Sequence, residues 1–165
     1  MARIRKLEIR NFRAIRILDW CPSSGVNCLI GPGDSGKSTV LDAIDFCLGA
    51  RRNLVISDTD FHALDVTQPI SIAATLGELP DSMLSIESFG EYLRGFDAAT
   101  GTVEDEPRKG LETVLTVRFA VQSDLEPVWS LFSERTTSVD PPRGLPWKER
   151  AAIAPSRIGN HPSSN

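Results

Sequence analysis

Residues 3–12 place Leu7 and Ile9 on one face with charged side chains between them, the period-two pattern of a strand half-buried on a sheet. A second such run at residues 15–20 (IRILDW) follows a short turn, so an antiparallel pair is expected to open the chain. Residues 26–30 (VNCLI) form a short, nearly continuous apolar run stopped by Gly31, which predicts a strand buried on both faces. From Lys37 the spacing changes: Val40, Leu41, Ile44, Cys47 and Leu48 recur at helical intervals, and Gly49 supplies a C-terminal cap.

Residues 50–68 keep no period and carry several turn formers, so they read as a long connection. After Pro69, Ile70, Ile72, Ala74 and Leu76 alternate with Ser71, Ala73 and Thr75, predicting a strand with one more polar face. Asp81 is placed to cap a helix that would use Ile86, Phe89, Leu93 and Phe96. The polar stretch 97–110, with Glu104, Asp105 and Glu106, reads as a mobile loop. Strands are expected at 113–121 and 128–133, joined as a hairpin, and a short amphipathic helix at 147–153. One domain is expected over residues 1–135, followed by a proline- and serine-rich segment, 136–165, whose end, 158–165, has no packing signal and is expected to be a disordered tail.

With 41% apolar and 24% charged residues, the 165-residue chain can bury a core. No apolar run approaches the roughly 20 residues that span a bilayer, and no secretory signal is read, so a soluble cytoplasmic protein without a membrane partner is expected. The three cysteines have no metal-site spacing; Cys28 and Cys47 are expected in the core as reduced thiols. Charge is uneven. Residues 1–16 hold six basic side chains (Arg3, Arg5, Lys6, Arg10, Arg13 and Arg16) against Glu8 alone, within a chain of net charge −4. Such a segment suits either a phosphate-facing surface, of nucleotide or DNA, or a solvated strand face.

Gly31-Pro32-Gly33-Asp34-Ser35-Gly36-Lys37-Ser38 matches G-x-x-x-x-G-K-[ST] at every fixed position. Glycines let successive backbone N–H groups turn inward, and the following helix directs its positive end at the same point, a cradle for phosphates. Lys37 is expected to reach the β- and γ-phosphates and Ser38 to place its hydroxyl on Mg²⁺, with Thr39 closing the loop. The guanine signature N/T-K-x-D is absent, so the expected ligand is ATP with Mg²⁺. The alternatives are a small P-loop kinase or phosphotransferase and a non-enzymatic fragment that only binds. A kinase would need a mobile lid, and the stretch 97–110 is acidic where such lids are arginine-rich.

LEIRNFRAI (7–15) and GVNCLIGPGDSGKSTVLDAI (25–44) resemble the opening of the RecF and structural-maintenance-of-chromosomes (SMC) type of ATPase head, and within that group the OLD family of ATP-dependent endonucleases. DTDF (58–61), QPISIAATLGELP (68–80) and FGEYLRG (89–95) extend the likeness. The resemblance implies an α/β fold of the ABC-ATPase type. Residues 1–135 would be its incomplete N-terminal lobe, with antiparallel strands before and after the strand, P-loop and helix unit. It also implies a homodimer closing around ATP and, in full-length members, a TOPRIM nuclease domain acting on DNA in processing and repair. Arg13 matches a position from which related heads send a basic side chain toward nucleotide or DNA. One departure is Gly33, where the family commonly has Asn.

An apolar strand ending in Asp-Glu (Walker B) and a Ser-Gly-Gly signature are both absent from the sequence, so ATP binding without efficient turnover is expected and no catalytic residue is assigned. Residues 54–58 only superficially suggest Walker B, and Asp58 and Asp60 have the D-x-D spacing of a metal pair; both are read as solvated loop carboxylates. His62 and His161 have no partners for a triad or zinc site, and Trp20, Trp129 and Trp147 are read as packing residues.

Overall fold

A computed structural model describes residues 2–31, 36–49, 53–138 and 143–155. Alternation at the chain's start produces β1 (Arg3–Phe12) and β2 (Ile15–Trp20), paired antiparallel as expected. The helix α1 (Lys37–Leu48) follows, ending where Gly49 N–H bonds the Asp45 carbonyl. Then come β3 (Ile70–Gly77), α2 (Ile86–Phe89), β4 (Leu93–Asp97), β5 (Thr102–Glu104), β6 (Glu112–Val121), β7 (Pro127–Phe132) and α3 (Trp147–Ile153). All seven strands form one antiparallel sheet in the order β2-β1-β3-β6-β4-β5, and β7 continues the edge of β6 that β4 leaves open.

Register explains the core. One cross-strand row runs Trp20, Leu7, Ala74, Val117, Leu131; the next runs Leu18, Ile9, Ile72, Phe119, Trp129. These rows lie on the face covered by α1, whose Val40, Ala43, Cys47 and Leu48 are buried. The small pair Ala43 and Ala74, both fully buried, is consistent with a close approach of helix to sheet. Cys47 Sγ reaches the Ile72 and Val117 carbonyls at 3.5 and 3.4 Å, and burial pushes its thiol pKa up to about 12. Cys28, expected beside it in the core, is exposed.

Four expectations are corrected. Residues 26–30 form no strand: Val26 and Ile30 are 91% and 92% exposed. A strand buried on both faces needs ladder neighbours, and residues 26–30 pair with no strand of this sheet. Second, the more polar face of β3 is largely covered: Ser71 is half-buried, and Ala73 and Thr75 are buried. As the central strand it is flanked by long neighbours: Thr75 and Thr116 hydroxyls meet at 2.9 Å, and Arg94 Nη1 donates to Thr116 at 2.9 Å. Third, the helix expected after Asp81 shrinks to α2, and Leu93 and Phe96 join β4 instead, opposite Leu115 and Glu112. Gly95 stands in that ladder opposite Thr113, with Leu111 Cδ1 2.8 Å from where a Cβ would sit. Fourth, 97–110 is a pinned hairpin. Asp105 accepts from the Glu134 and Arg135 amides at 2.7 and 3.1 Å and pairs with buried Arg94 at 3.5 Å. The tail expected to be disordered from residue 158 lies outside the described residues. Among the described residues no helix is long and apolar enough to cross a membrane.

Candidate nucleotide site

The change from loop to helix at Gly36 builds the site. Gly36 is buried with φ 93°, a left-handed conformation in which side chains are strained, and α1 begins at the next residue. Among the described residues no side chain caps this N-terminus and its first turn holds no acid, so its positive dipole end suits an anion. Lys37 Nζ donates to the Gly31 carbonyl, tying the two ends of the motif together. Ser38 is exposed in the first turn and Thr39 half-buried. An amine, a hydroxyl and helix-end amides are the donor set that a triphosphate and one octahedral Mg²⁺ require. The middle of the motif, Pro32, Gly33, Asp34 and Ser35, lies outside the described residues.

Arg13 sits in the β1–β2 turn, one-third exposed. Its Nη1 donates to Asp42 Oδ2 of α1 at 2.5 Å and its Nε to Asp60 Oδ1 at 3.0 Å. The guanidinium also lies 5.0 and 5.1 Å from the ring centres of Phe12 and Phe46. Asp60 is therefore no solvated carboxylate: it is buried, and its Oδ2 accepts the Ser57 amide at 3.0 Å. The S-x-x-D spacing of Ser57 and Asp60 was the available signal for that local cap. Asp58 is exposed, residues 54–57 form no strand, and no metal-holding cluster of His, Cys, Asp or Glu exists among the described residues. His62 Nδ1 lies 2.8 Å from the Arg13 carbonyl, which can only accept, so that nitrogen carries the proton. His161 lies outside the described residues. Trp129 packs as expected, its Nε1 donating to the Phe46 carbonyl at 2.9 Å.

An antiparallel sheet laid over the helix that leaves a P-loop defines one lobe of an ABC-type ATPase head. The model of the AAA ATPase domain matches residues 3–139, and the chain belongs to that family. Among curated proteins it is 42% identical over 45 residues to the DNA replication and repair protein RecF of Prosthecochloris aestuarii, covering 27% of this chain and 12% of that one. It is 34% identical over 73 residues to the OLD nuclease of Thermus scotoductus, covering 42% of this chain and 13% of the nuclease. It is 32% identical over 95 residues to human structural maintenance of chromosomes protein 1B, covering 55% and 7%. These matches thus span about an eighth or less of each relative's length.

Two solved structures share the fold at 20% identity and a TM-score of 0.54. One is an SMC ATPase described for ATP-driven dimerization and DNA-stimulated activation, covering 91% of this chain and 76% of that one. The other is the Smc head domain of Pyrococcus furiosus bound to the C-terminal domain of ScpA, covering 93% and 32%.

Proposed function

We propose that this chain binds Mg-ATP through residues 31–39, as part of an OLD-like ATPase concerned with DNA. The observation carrying this reading is the left-handed Gly36 leading into the N-terminus of α1, whose acid-free first turn presents Lys37 and Ser38. Gly31, Pro32, Gly33, Asp34, Ser35 and Gly36 supply the loop, Lys37 the cation for the β- and γ-phosphates, and Ser38 the metal oxygen. The choice of OLD among the related heads rests on the 73-residue match to an OLD nuclease and on the motif flanks. Closure of two heads around ATP belongs to the same reading, by analogy with the dimerizing SMC ATPase.

Binding and turnover should separate. Attack of water on the γ-phosphate needs a positioned carboxylate, and the sequence offers no apolar strand ending in Asp-Glu to hold one. Calorimetric titration with Mg-ATP beside a phosphate-release assay is expected to give measurable affinity with release at background. Robust hydrolysis would contradict the assignment, as would transfer of phosphate to a small acceptor.

Association with DNA is favoured by the sheet face opposite α1. There Glu8, Arg10, Ser71, Ala73, Arg118 and Phe132 line a groove of about 160 Å³. Arg118 stacks 4.9 Å over Phe132, contacts Ser71 Oγ at 3.3 Å and forms no ion pair among the described residues, leaving its charge for a phosphate. Duplex DNA should be retained at low salt, and Arg118→Glu should weaken retention and lower the salt slope by about 1. Equal retention by Arg118→Glu would remove this face from the account.

A further inference from the structure

The β1–β2 turn is built around Arg13 at a cost. Arg13 and Asn11 both adopt left-handed backbone conformations, φ 51° and 56°, which residues other than glycine seldom occupy. Backbone contacts over-determine that geometry: the Arg13 amide donates to the Asp60 carbonyl at 2.8 Å, and its own carbonyl accepts the His62 Nδ1 proton. Strain held in place by so many contacts aims a side chain, and here it aims a guanidinium between Asp42 and Asp60.

Asp42 follows Ser38 by four residues, so the two share one face of α1, about 6 Å apart along its axis. The sheet grips α1 from one side, through buried Val40, Ala43, Cys47 and Leu48 and through Phe46, whose ring meets Phe12 and Phe119 and whose carbonyl accepts from Trp129, while Leu41 on the far side is 46% exposed. A helix gripped on one side can roll about its axis, and a roll would swing Ser38. The fork of Arg13 opposes it, because one arm holds Asp42 and the other holds Asp60, which is itself fixed by the Ser57 amide.

We propose that Arg13 is a positioning residue for the nucleotide site: by bridging Asp42 to Asp60 it fixes the rotation of α1, and so the direction in which Ser38 presents its hydroxyl to the metal ion on the triphosphate. This rests on the P-loop reading above. It differs from a direct role at the phosphates, since a guanidinium that reached them would have to release both carboxylates.

The experiment titrates ATP into the purified chain with Mg²⁺ and again with EDTA, for wild type, Arg13→Gln, Asp42→Asn, Asp60→Asn, the double variant Arg13→Gln/Asp42→Asn, and Ser38→Ala alone and combined with Arg13→Gln. A thermal melt accompanies each. Loss of a group that orients a metal ligand costs about tenfold or more in affinity. Each of the three single variants at Arg13, Asp42 and Asp60 should therefore lose about tenfold in Mg-ATP affinity, with metal-free ATP affinity unchanged. The double variant should lose no more than either single one, because both break the same link. Added to Ser38→Ala, Arg13→Gln should cause no further loss. The proposal is overturned if Asp42→Asn and Asp60→Asn bind normally while Arg13→Gln loses affinity in both conditions, the mark of a direct phosphate contact. It is equally overturned if every loss is the same with and without Mg²⁺ and follows the melting temperature. Failure of the wild type to bind ATP in either condition would instead remove the P-loop reading itself, so the two failures are distinguishable.

Discussion

Phe119→Ala is expected to destabilise the fold by about 3–5 kcal/mol, the usual cost of emptying a fully buried aromatic site. Phe119 has no exposed surface and stands between Ile72 and Trp129 in the row Leu18, Ile9, Ile72, Phe119, Trp129. Its ring meets Phe46 of α1 edge-on at 6.1 Å and Trp129 at 5.4 Å, and Phe46 in turn meets Phe12 at 5.3 Å. The cavity would therefore open where helix, central strands and edge strand join. Urea unfolding should show a lower midpoint at unchanged slope. Val128→Ala, at a side chain 49% exposed on β7, should shift stability by less than about 0.5 kcal/mol. A loss below about 1 kcal/mol at Phe119 would mean that this row is not the centre of the core.

Lys37→Ala is expected to weaken Mg-ATP binding on the order of a hundredfold. Hydrogen bonds to charged groups contribute about 1.5–3 kcal/mol, and about 1.4 kcal/mol is a factor of ten. Under the proposed function Lys37, the first residue of α1, would supply such a bond to the triphosphate. Its side chain is only half-buried, so the melting temperature should move little while affinity falls. Asp58→Ala, an exposed change nearby in sequence, should leave affinity untouched. Calorimetric titration of the three proteins gives the comparison, and equal affinity in Lys37→Ala would undo the role of the ammonium.

Much of this architecture was legible wherever one periodicity ran unbroken. β1, β2, β6, β7 and α3 followed from alternation or helical spacing, and α1 from the switch of period at Lys37. Legibility failed where tertiary pairing overrode local pattern. Leu93 and Phe96 have helical spacing from Ile86 and Phe89, yet the open edge of β6 draws them into a ladder. Residues 26–30 are apolar enough for a buried strand, but apolarity does not reveal whether a neighbouring strand exists to complete it. Asp105 looked like part of an acidic loop because its partners, Arg94 and the amides of Glu134 and Arg135, lie far along the chain.

The site divides in the same way. Glycine spacing announced the loop, since only particular residues tolerate its geometry, and Gly36 at φ 93° is the visible instance. The engagement of Arg13 could not be read, because Asp42 and Asp60 stand 29 and 47 residues away and only the fold brings them to one guanidinium. Asp60 was misjudged for a related reason: a carboxylate between turn formers looks solvated until its ion pair is known.

The most direct test of the central claim follows backbone amide chemical shifts of the isotope-labelled 18.1 kDa chain during titration with Mg-ATP. A helix N-terminus that receives a triphosphate changes the field at its own amides first. The largest shifts are predicted at Gly36, Lys37, Ser38 and Thr39, saturating together and vanishing in Lys37→Ala, while Ser71 and Arg118 on the opposite sheet face stay still. Shifts confined to that opposite face, or no saturable shift at Gly36 and Ser38, would contradict it.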